Sequence, residues 1–106
     1  MDKAAVLDII ERFRTALEAH GVHGPKIILF GSHATGTAHD SSDIDLAVVS
    51  EDFVGKNLWE RINLLADAIC DVFEPIEAIP FSPEEWEAGD TIMAQIARKG
   101  EVVAAR

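Results

Sequence analysis

Positive charge is scarce in this sequence: nine Lys and Arg side chains stand against nineteen Asp and Glu, which gives a formal net charge of −10. Such a chain lacks the basic surface that non-specific binding to nucleic acid requires, so a DNA- or RNA-coating protein is not expected. The single cysteine, Cys70, excludes an intramolecular disulfide and fits a reducing compartment. No apolar run is long enough to cross a bilayer, and no signal-peptide pattern opens the chain. We therefore expect a cytoplasmic protein without membrane association.

Length and composition point to one small folded unit. Hydrophobic residues make up 48% of the chain and charged residues 26%, values typical of globular domains rather than disordered segments. A chain of 106 residues has room for one domain, and it contains no internal repeat, low-complexity tract or linker. We therefore predict a single domain over residues 1–106.

Apolar residues recur at helical spacing in several segments. They lie three or four positions apart over 6–17 and again over about 57–73, with polar residues between them. Residues 82–85, Ser-Pro-Glu-Glu, predict a helix start, because serine can cap, proline suits the first turn and Glu85 completes a capping box. A last helix is predicted over 92–97, where apolar residues recur once more.

Four other segments have the pattern of strands. Residues 26–30 form a nearly continuous apolar run, typical of a strand buried on both faces, and residues 43–49 alternate in their first half. Residues 76–81 predict a short strand whose Pro80 indicates an edge or a strand end, and 101–103 predict a final strand. This order of elements predicts an α/β (α+β) fold, a small mixed β-sheet with helices packed mainly on one face.

The loop after the first strand contains residues suited to binding an anion. Gly31 and Ser32 end the buried run and open a series of small polar residues that continues to Ser42. Such a loop can offer backbone N–H groups and the Ser32 hydroxyl to phosphate oxygens, and the same residues are equally typical of a plain turn. A Walker loop is excluded, because Thr37 stands where that motif requires lysine.

Asp43 and Asp45 begin the second predicted strand. Period-2 geometry places their side chains on one face, with β-carbons roughly 6–7 Å apart. Two ionised carboxylates at that separation repel each other unless a cation lies between them. Carboxylate oxygens suit Mg²⁺, which commonly takes one or two carboxylates together with substrate phosphates. An isolated pair is also typical of a solvated turn, but this pair leads directly into the apolar residues 46–49.

Together these residues resemble a known signature. Residues 31–36, Gly-Ser-His-Ala-Thr-Gly, followed by residues 42–46, Ser-Asp-Ile-Asp-Leu, are similar to the motif of the minimal nucleotidyltransferases in the DNA polymerase β-like superfamily. The likeness extends to the helix start at 83–86 and so covers nearly the whole chain.

The resemblance implies a metal-dependent nucleotidyltransferase. In that family the glycine-serine pair holds nucleotide phosphates and the two aspartates hold catalytic metal, which assigns nucleotide binding to Gly31 and Ser32. It makes Asp43 and Asp45 catalytic metal ligands, and Glu77 stands where the third catalytic carboxylate and metal ligand is expected. The implied cofactor is Mg²⁺, as two ions, and the implied substrate is ATP or another nucleoside triphosphate. A nucleoside monophosphate, AMP in the case of ATP, would pass to a hydroxyl acceptor.

The resemblance also implies a protein partner. Similar proteins act as antitoxins beside HEPN-domain ribonuclease toxins, and either modify a tyrosine on the toxin or mask it. This chain has no tyrosine, which excludes tyrosine self-modification. Thr35 stands where the family often has arginine, and Glu77 where many members have aspartate. A second hypothesis therefore stays open, a catalytically weak or inactive antitoxin-type module that neutralises its partner by complex formation. Assembly into a homo-oligomer is also left open.

For five further residues the sequence indicates a role less specifically. Lys56 and Arg61 are the cations that could neutralise phosphate, and both are equally typical of solvated surface charges. His33 lies in the loop, where it could contact a nucleotide, but a loop histidine is more often exposed to solvent. We expect Cys70 to be a buried small apolar residue of the second long helix, and Trp59 to be either a core aromatic or part of a partner surface.

Overall fold

The structure, a computed structural model, describes residues 1–39 and 41–104. Asp40, in the loop predicted over 31–42, and residues 105–106 lie outside the described residues. The elements in chain order are α1 (Lys3–Ala19), β1 (Lys26–Phe30), α2 (Ser32–Thr35), β2 (Ile44–Val49), α3 (Leu58–Val72), β3 (Ile76–Phe81), α4 (Pro83–Ala88), α5 (Ile92–Ala97) and β4 (Glu101–Ala104). A short 3-10 turn over Glu51–Phe53, which was not predicted, follows β2. Within the described part of the chain, no helix has both the length and the apolar character needed to cross a membrane.

The four strands form one mixed sheet in the order β3-β2-β1-β4. Strand β1 is antiparallel to β2 and to β4, whereas β2 and β3 are parallel and are connected by α3. Pro80 lies in β3, which is an edge strand of the described sheet, as its missing N–H group predicts. The mixed sheet and its helices confirm the predicted fold class.

Side-chain caps set the starts of the longer helices. The Asp2 carboxylate accepts a hydrogen bond from the Ala5 amide at 2.8 Å and begins α1. Asn57 and Glu60 form a capping box at the start of α3, with both hydrogen bonds at 2.9 Å. Ser82 and Glu85 form the predicted capping box at the start of α4.

The sheet has an apolar core on each face. The larger core lies under α1 and α3 and takes the even residues of β2, such as Ile44 and Leu46, together with Phe13 of α1. The smaller core contains Ala47, Val49 and Trp86 and lies under α4 and α5. The two long helices therefore cover one face, as expected, and the short helices cover part of the other. The odd residues of β2, Asp45 among them, belong to the α4–α5 face.

Strand directions bring three chain segments to one end of the sheet. Because β1 and β2 are antiparallel, the end of β1 lies beside the start of β2, and Phe30 is the register partner of Asp45. Because β2 and β3 are parallel, their starts lie side by side, and the Ile44 amide donates a hydrogen bond to the Pro75 carbonyl at 2.8 Å. Gly31, Asp43, Asp45 and Glu77 therefore lie at this end of the sheet.

Candidate functional site

The glycine-serine turn lies against the Asp45 carboxylate. Gly31 has φ 74° and ψ −156°, a conformation essentially restricted to glycine, and it precedes the four-residue helix α2, which starts at Ser32. A β-carbon added at Gly31 would lie 3.1 Å from Asp45 Cγ and closer still to Oδ2. Only glycine therefore lets the turn approach the carboxylate this closely. The structure thus brings together two of the sequence motifs, the turn and the aspartate pair.

Glu77 completes a group of three carboxylates. It is the register partner of Asp45 on the neighbouring parallel strand, and adjacent strands lie about 4.8 Å apart. Asp43 stands two residues before Asp45, and its carboxyl group lies close enough to that of Glu77 to affect the pKa of Glu77. Asp43 and Glu77 are exposed, whereas Asp45 is half-buried. The predicted acidic residues therefore lie together at one end of the sheet.

The crowding of these carboxylates changes their acidity. The nearby Asp43 carboxyl group raises the pKa of Glu77, and the negative charge of Asp45 acts in the same direction. Burial raises the pKa of Asp45, and the charge of Asp43 adds to that effect, while the charge of His33 opposes it. No lysine or arginine within the described ranges, 1–39 and 41–104, forms an ion pair with any of the three. The cluster therefore carries negative charge that a bound cation would relieve.

The donor chemistry fits Mg²⁺, because carboxylate oxygens are the ligands that this ion takes. The present side-chain arrangement is not yet a coordination site: among the described residues, no three His, Cys, Asp or Glu side chains are placed so that they could hold a metal ion. The side chains of Asp43 and Glu77 would have to rotate to bring their carboxylate oxygens around a shared metal ion. Both of those side chains are exposed, so such a rotation meets little packing resistance.

His33 is buried, and the expectation that it is exposed to solvent is wrong. Its Nε2 atom lies 3.3 Å from the Ser42 carbonyl oxygen, so the ring ties α2 to the residues just before β2. A loop histidine becomes buried here because the loop folds back as a helix over the start of β2. His33 therefore supports the turn from inside.

The two expected phosphate-neutralising cations are engaged elsewhere. Lys56 Nζ donates a hydrogen bond to the Asp52 carbonyl at 2.6 Å. Arg61 Nη1 contacts Glu85 at 2.6 Å, and its side chain is only 12% exposed. Arg61 is therefore a largely covered structural partner of the α4 cap rather than a solvated surface charge.

A pocket beside the turn contains a residue that sequence reasoning missed. It has a volume of about 350 Å³ and is lined by Lys3 of α1 together with Ser32, Thr35 and other residues of the α2 segment. The ammonium group of Lys3 is paired with Glu101 at the start of β4. No local sequence pattern links Lys3 to the turn, because α1 and β1 separate them along the chain.

Two residues of α3, Cys70 and Trp59, are both exposed to solvent. Cys70 is exposed, so the prediction that it is buried is wrong. The buried positions of α3 are 65, 68 and 72, and residue 70 lies between them on the opposite side of the helix. Trp59 is 74% exposed and belongs to the surface rather than to the core.

Comparison with known proteins shows the family and the fold of the chain. The sequence profile of the nucleotidyltransferase domain matches residues 10–93, most of the chain. The fold is similar to that in the crystal structure of a "putative nucleotidyltransferase" from Sulfolobus solfataricus, with a TM-score of 0.67 over 81% of this chain and 75% of that chain. The two sequences are 20% identical, so this likeness concerns the fold alone. Comparison with curated protein sequences gives no match.

Proposed function

Because the chain belongs to the nucleotidyltransferase domain family, we propose that it transfers a nucleoside monophosphate, AMP from ATP, to a hydroxyl group on a partner protein. The single observation that carries the proposal is the contact between the Gly31 turn and the half-buried Asp45 carboxylate, with Glu77 in register beside it. This arrangement combines a backbone turn open to phosphate with carboxylates suited to a divalent cation.

Each residue of this group has a distinct role in the proposal. Asp43 and Asp45 would hold Mg²⁺ as two ions, with Glu77 as the third ligand, and the Gly31 turn and the Ser32 hydroxyl would bind phosphate oxygens. When bound, Mg²⁺ supplies positive charge that neutralises the phosphates and lowers the pKa of the attacking hydroxyl. A cation is needed for this chemistry because a chain with a net charge of −10 would otherwise repel a triphosphate.

Glu77 is the residue proposed to accept the proton. The acceptor oxygen forms a bond to the α-phosphorus, the bond from that phosphorus to pyrophosphate breaks, and the hydroxyl proton passes to a carboxylate. Glu77 suits this step because it is exposed on an edge strand, where a large acceptor can approach, whereas Asp45 lies half-buried against Gly31.

Radiolabel transfer tests the proposal. The chain is incubated with Mg²⁺, ATP labelled at the α-phosphate and a HEPN-type toxin, the partner that the resemblance implies. Wild type should label the partner, whereas Asp43→Ala and Asp45→Ala should not. Asp67→Ala, which removes an exposed aspartate in the middle of α3, is the matched control and should behave as wild type. Label that persists in both active-site variants would contradict the proposed roles.

A second candidate function is neutralisation of the partner by binding alone. Its support is an exposed apolar strip at the start of α3, formed by Leu58, Trp59 and Ile62. Large apolar side chains exposed together are typical of protein interfaces, and tryptophan is frequent among the residues that dominate their affinity. Under this alternative, Asp43→Ala would still inhibit the toxin and Trp59→Ser would not. Under the enzymatic proposal, inhibition and label would be lost together in Asp43→Ala.

A further inference from the structure

The pocket beside the glycine-serine turn differs in charge from the rest of the molecule. Its lining includes Lys3, Ser32, His33 and Thr35, and none of the described residues that line it is acidic. The chain as a whole has ten more acidic than basic side chains. A lysine and two hydroxyl-bearing residues around one cavity are suited to an anion.

Lys3 is also the cation best able to engage a ligand there. None of the nine Lys and Arg residues lies between Lys26 and Lys56 in the sequence, and Lys56 and Arg61 are held by local partners. Lys3 and its partner Glu101 are each 47% exposed. Ion pairs with that exposure contribute little to stability, so Lys3 can leave Glu101 for a ligand at small cost.

We propose that Lys3 binds the β- and γ-phosphates of the nucleoside triphosphate in this pocket, together with the Ser32 and Thr35 hydroxyl groups. This inference rests on the proposed transferase function. Gly31 contacts Asp45, and Ser32, the next residue, lines the pocket. A triphosphate whose α-phosphate lay at the carboxylates would therefore be able to extend along the turn into the pocket. Lys3 is a substrate-positioning residue that the motif itself does not contain.

Binding of inorganic tripolyphosphate, measured by calorimetry in EDTA, tests the site without metal or catalysis. Lys3→Met should weaken binding about tenfold or more, since it removes a charge-assisted hydrogen bond, and Lys3→Arg should restore it. Lys99→Met, which removes a lysine that does not line the pocket, is the matched control and should leave the affinity unchanged. If Lys3→Met and Lys99→Met weakened binding equally, the proposal would be overturned, because tripolyphosphate would then respond to the overall charge of the protein rather than to a site at Lys3.

Glu101→Gln provides a test in the opposite direction and keeps Lys3 in place. Removing the competing carboxylate should tighten tripolyphosphate binding, by up to about fivefold. Unchanged or weaker binding in Glu101→Gln would contradict the assignment of Lys3. Adding Lys3→Met to this variant should abolish the gain.

The transfer assay separates this inference from the proposed function. If wild type labels its partner and Lys3→Met leaves KM for ATP unchanged, the Lys3 site is wrong while the transferase stands. If wild type transfers no label but binds tripolyphosphate through Lys3, the transferase is wrong while the anion site stands.

Discussion

Replacing Gly31 with alanine tests the contact on which the candidate site depends. The backbone at Gly31 has φ 74° and ψ −156°, where residues other than glycine cost about 1–3 kcal/mol. The new β-carbon would also lie 3.1 Å from Asp45 Cγ, so the carboxylate must move. We expect a loss of about 2 kcal/mol or more in the free energy of unfolding. At about 4–8 °C per kcal/mol, Tm should fall by roughly 8–16 °C.

Gly36→Ala is the matched control for this prediction. Gly36 also has a positive φ, 79°, but a β-carbon there meets nothing within 4 Å. Its alanine variant should lose only about 1–2 kcal/mol of stability, which is the cost of the backbone strain, because Asp45 is not disturbed. Gly31→Ala should lose activity as well as stability.

A double-mutant cycle measures the clash itself. In an Asp45→Ala background, the carboxyl group that meets the new β-carbon is absent, so Gly31→Ala should cost only the backbone strain. The expected coupling energy, measured by thermal or urea unfolding, is about 0.5–3 kcal/mol. Zero coupling, together with full activity of Gly31→Ala, would refute the reasoning.

Substitutions at three further positions are tested by thermal unfolding. Because the pKa of Asp45 is raised, its protonated form stabilises the folded state below the usual pKa of 3.8, and this stability is lost as the pH rises through the raised pKa. Asp45→Asn should therefore raise Tm at pH 7 in EDTA and give no gain below pH 3.8. Arg61 lowers the pKa of Glu85, and the resulting stability is present above the usual 4.5 and is lost as the pH falls through the lowered pKa. Arg61→Met should therefore remove less than about 1 kcal/mol of pH-dependent stability, and it should do so only above pH 4.5. Phe73 ends α3 with φ 58° and is 90% exposed. Phe73→Gly should therefore stabilise the folded state by about 1 kcal/mol, whereas Phe73→Ala should not. Equal Tm values for these two variants would contradict the strain.

The fold was largely predictable because its signals are local. The spacing of apolar residues in α1 and α3 reports the faces that they bury, and the Ser82–Glu85 capping box is a complete motif within four residues. The 3-10 turn after β2 escaped prediction because a single turn has no hydrophobic period to detect.

The candidate site was only partly predictable, since some of its contacts join distant segments. Alternation along β2 is enough to place Asp43 and Asp45 on one face. The register that sets Glu77 beside Asp45 depends on how β3 pairs, which only the family resemblance suggested. Lys3 reaches the turn through the packing of α1, and no spacing rule links the two.

The parallel pairing of β2 and β3 has a consequence for altering the chain. The separation of Asp45 and Glu77 follows from hydrogen bonding between the strands, not from the length of the connection that crosses the larger core. Val54 and Gly55, on that connection, are exposed, and space around Gly55 is open. A fluorescent reporter or an affinity tag inserted between them would therefore leave the acidic end of the sheet in register, which makes this turn a natural attachment point.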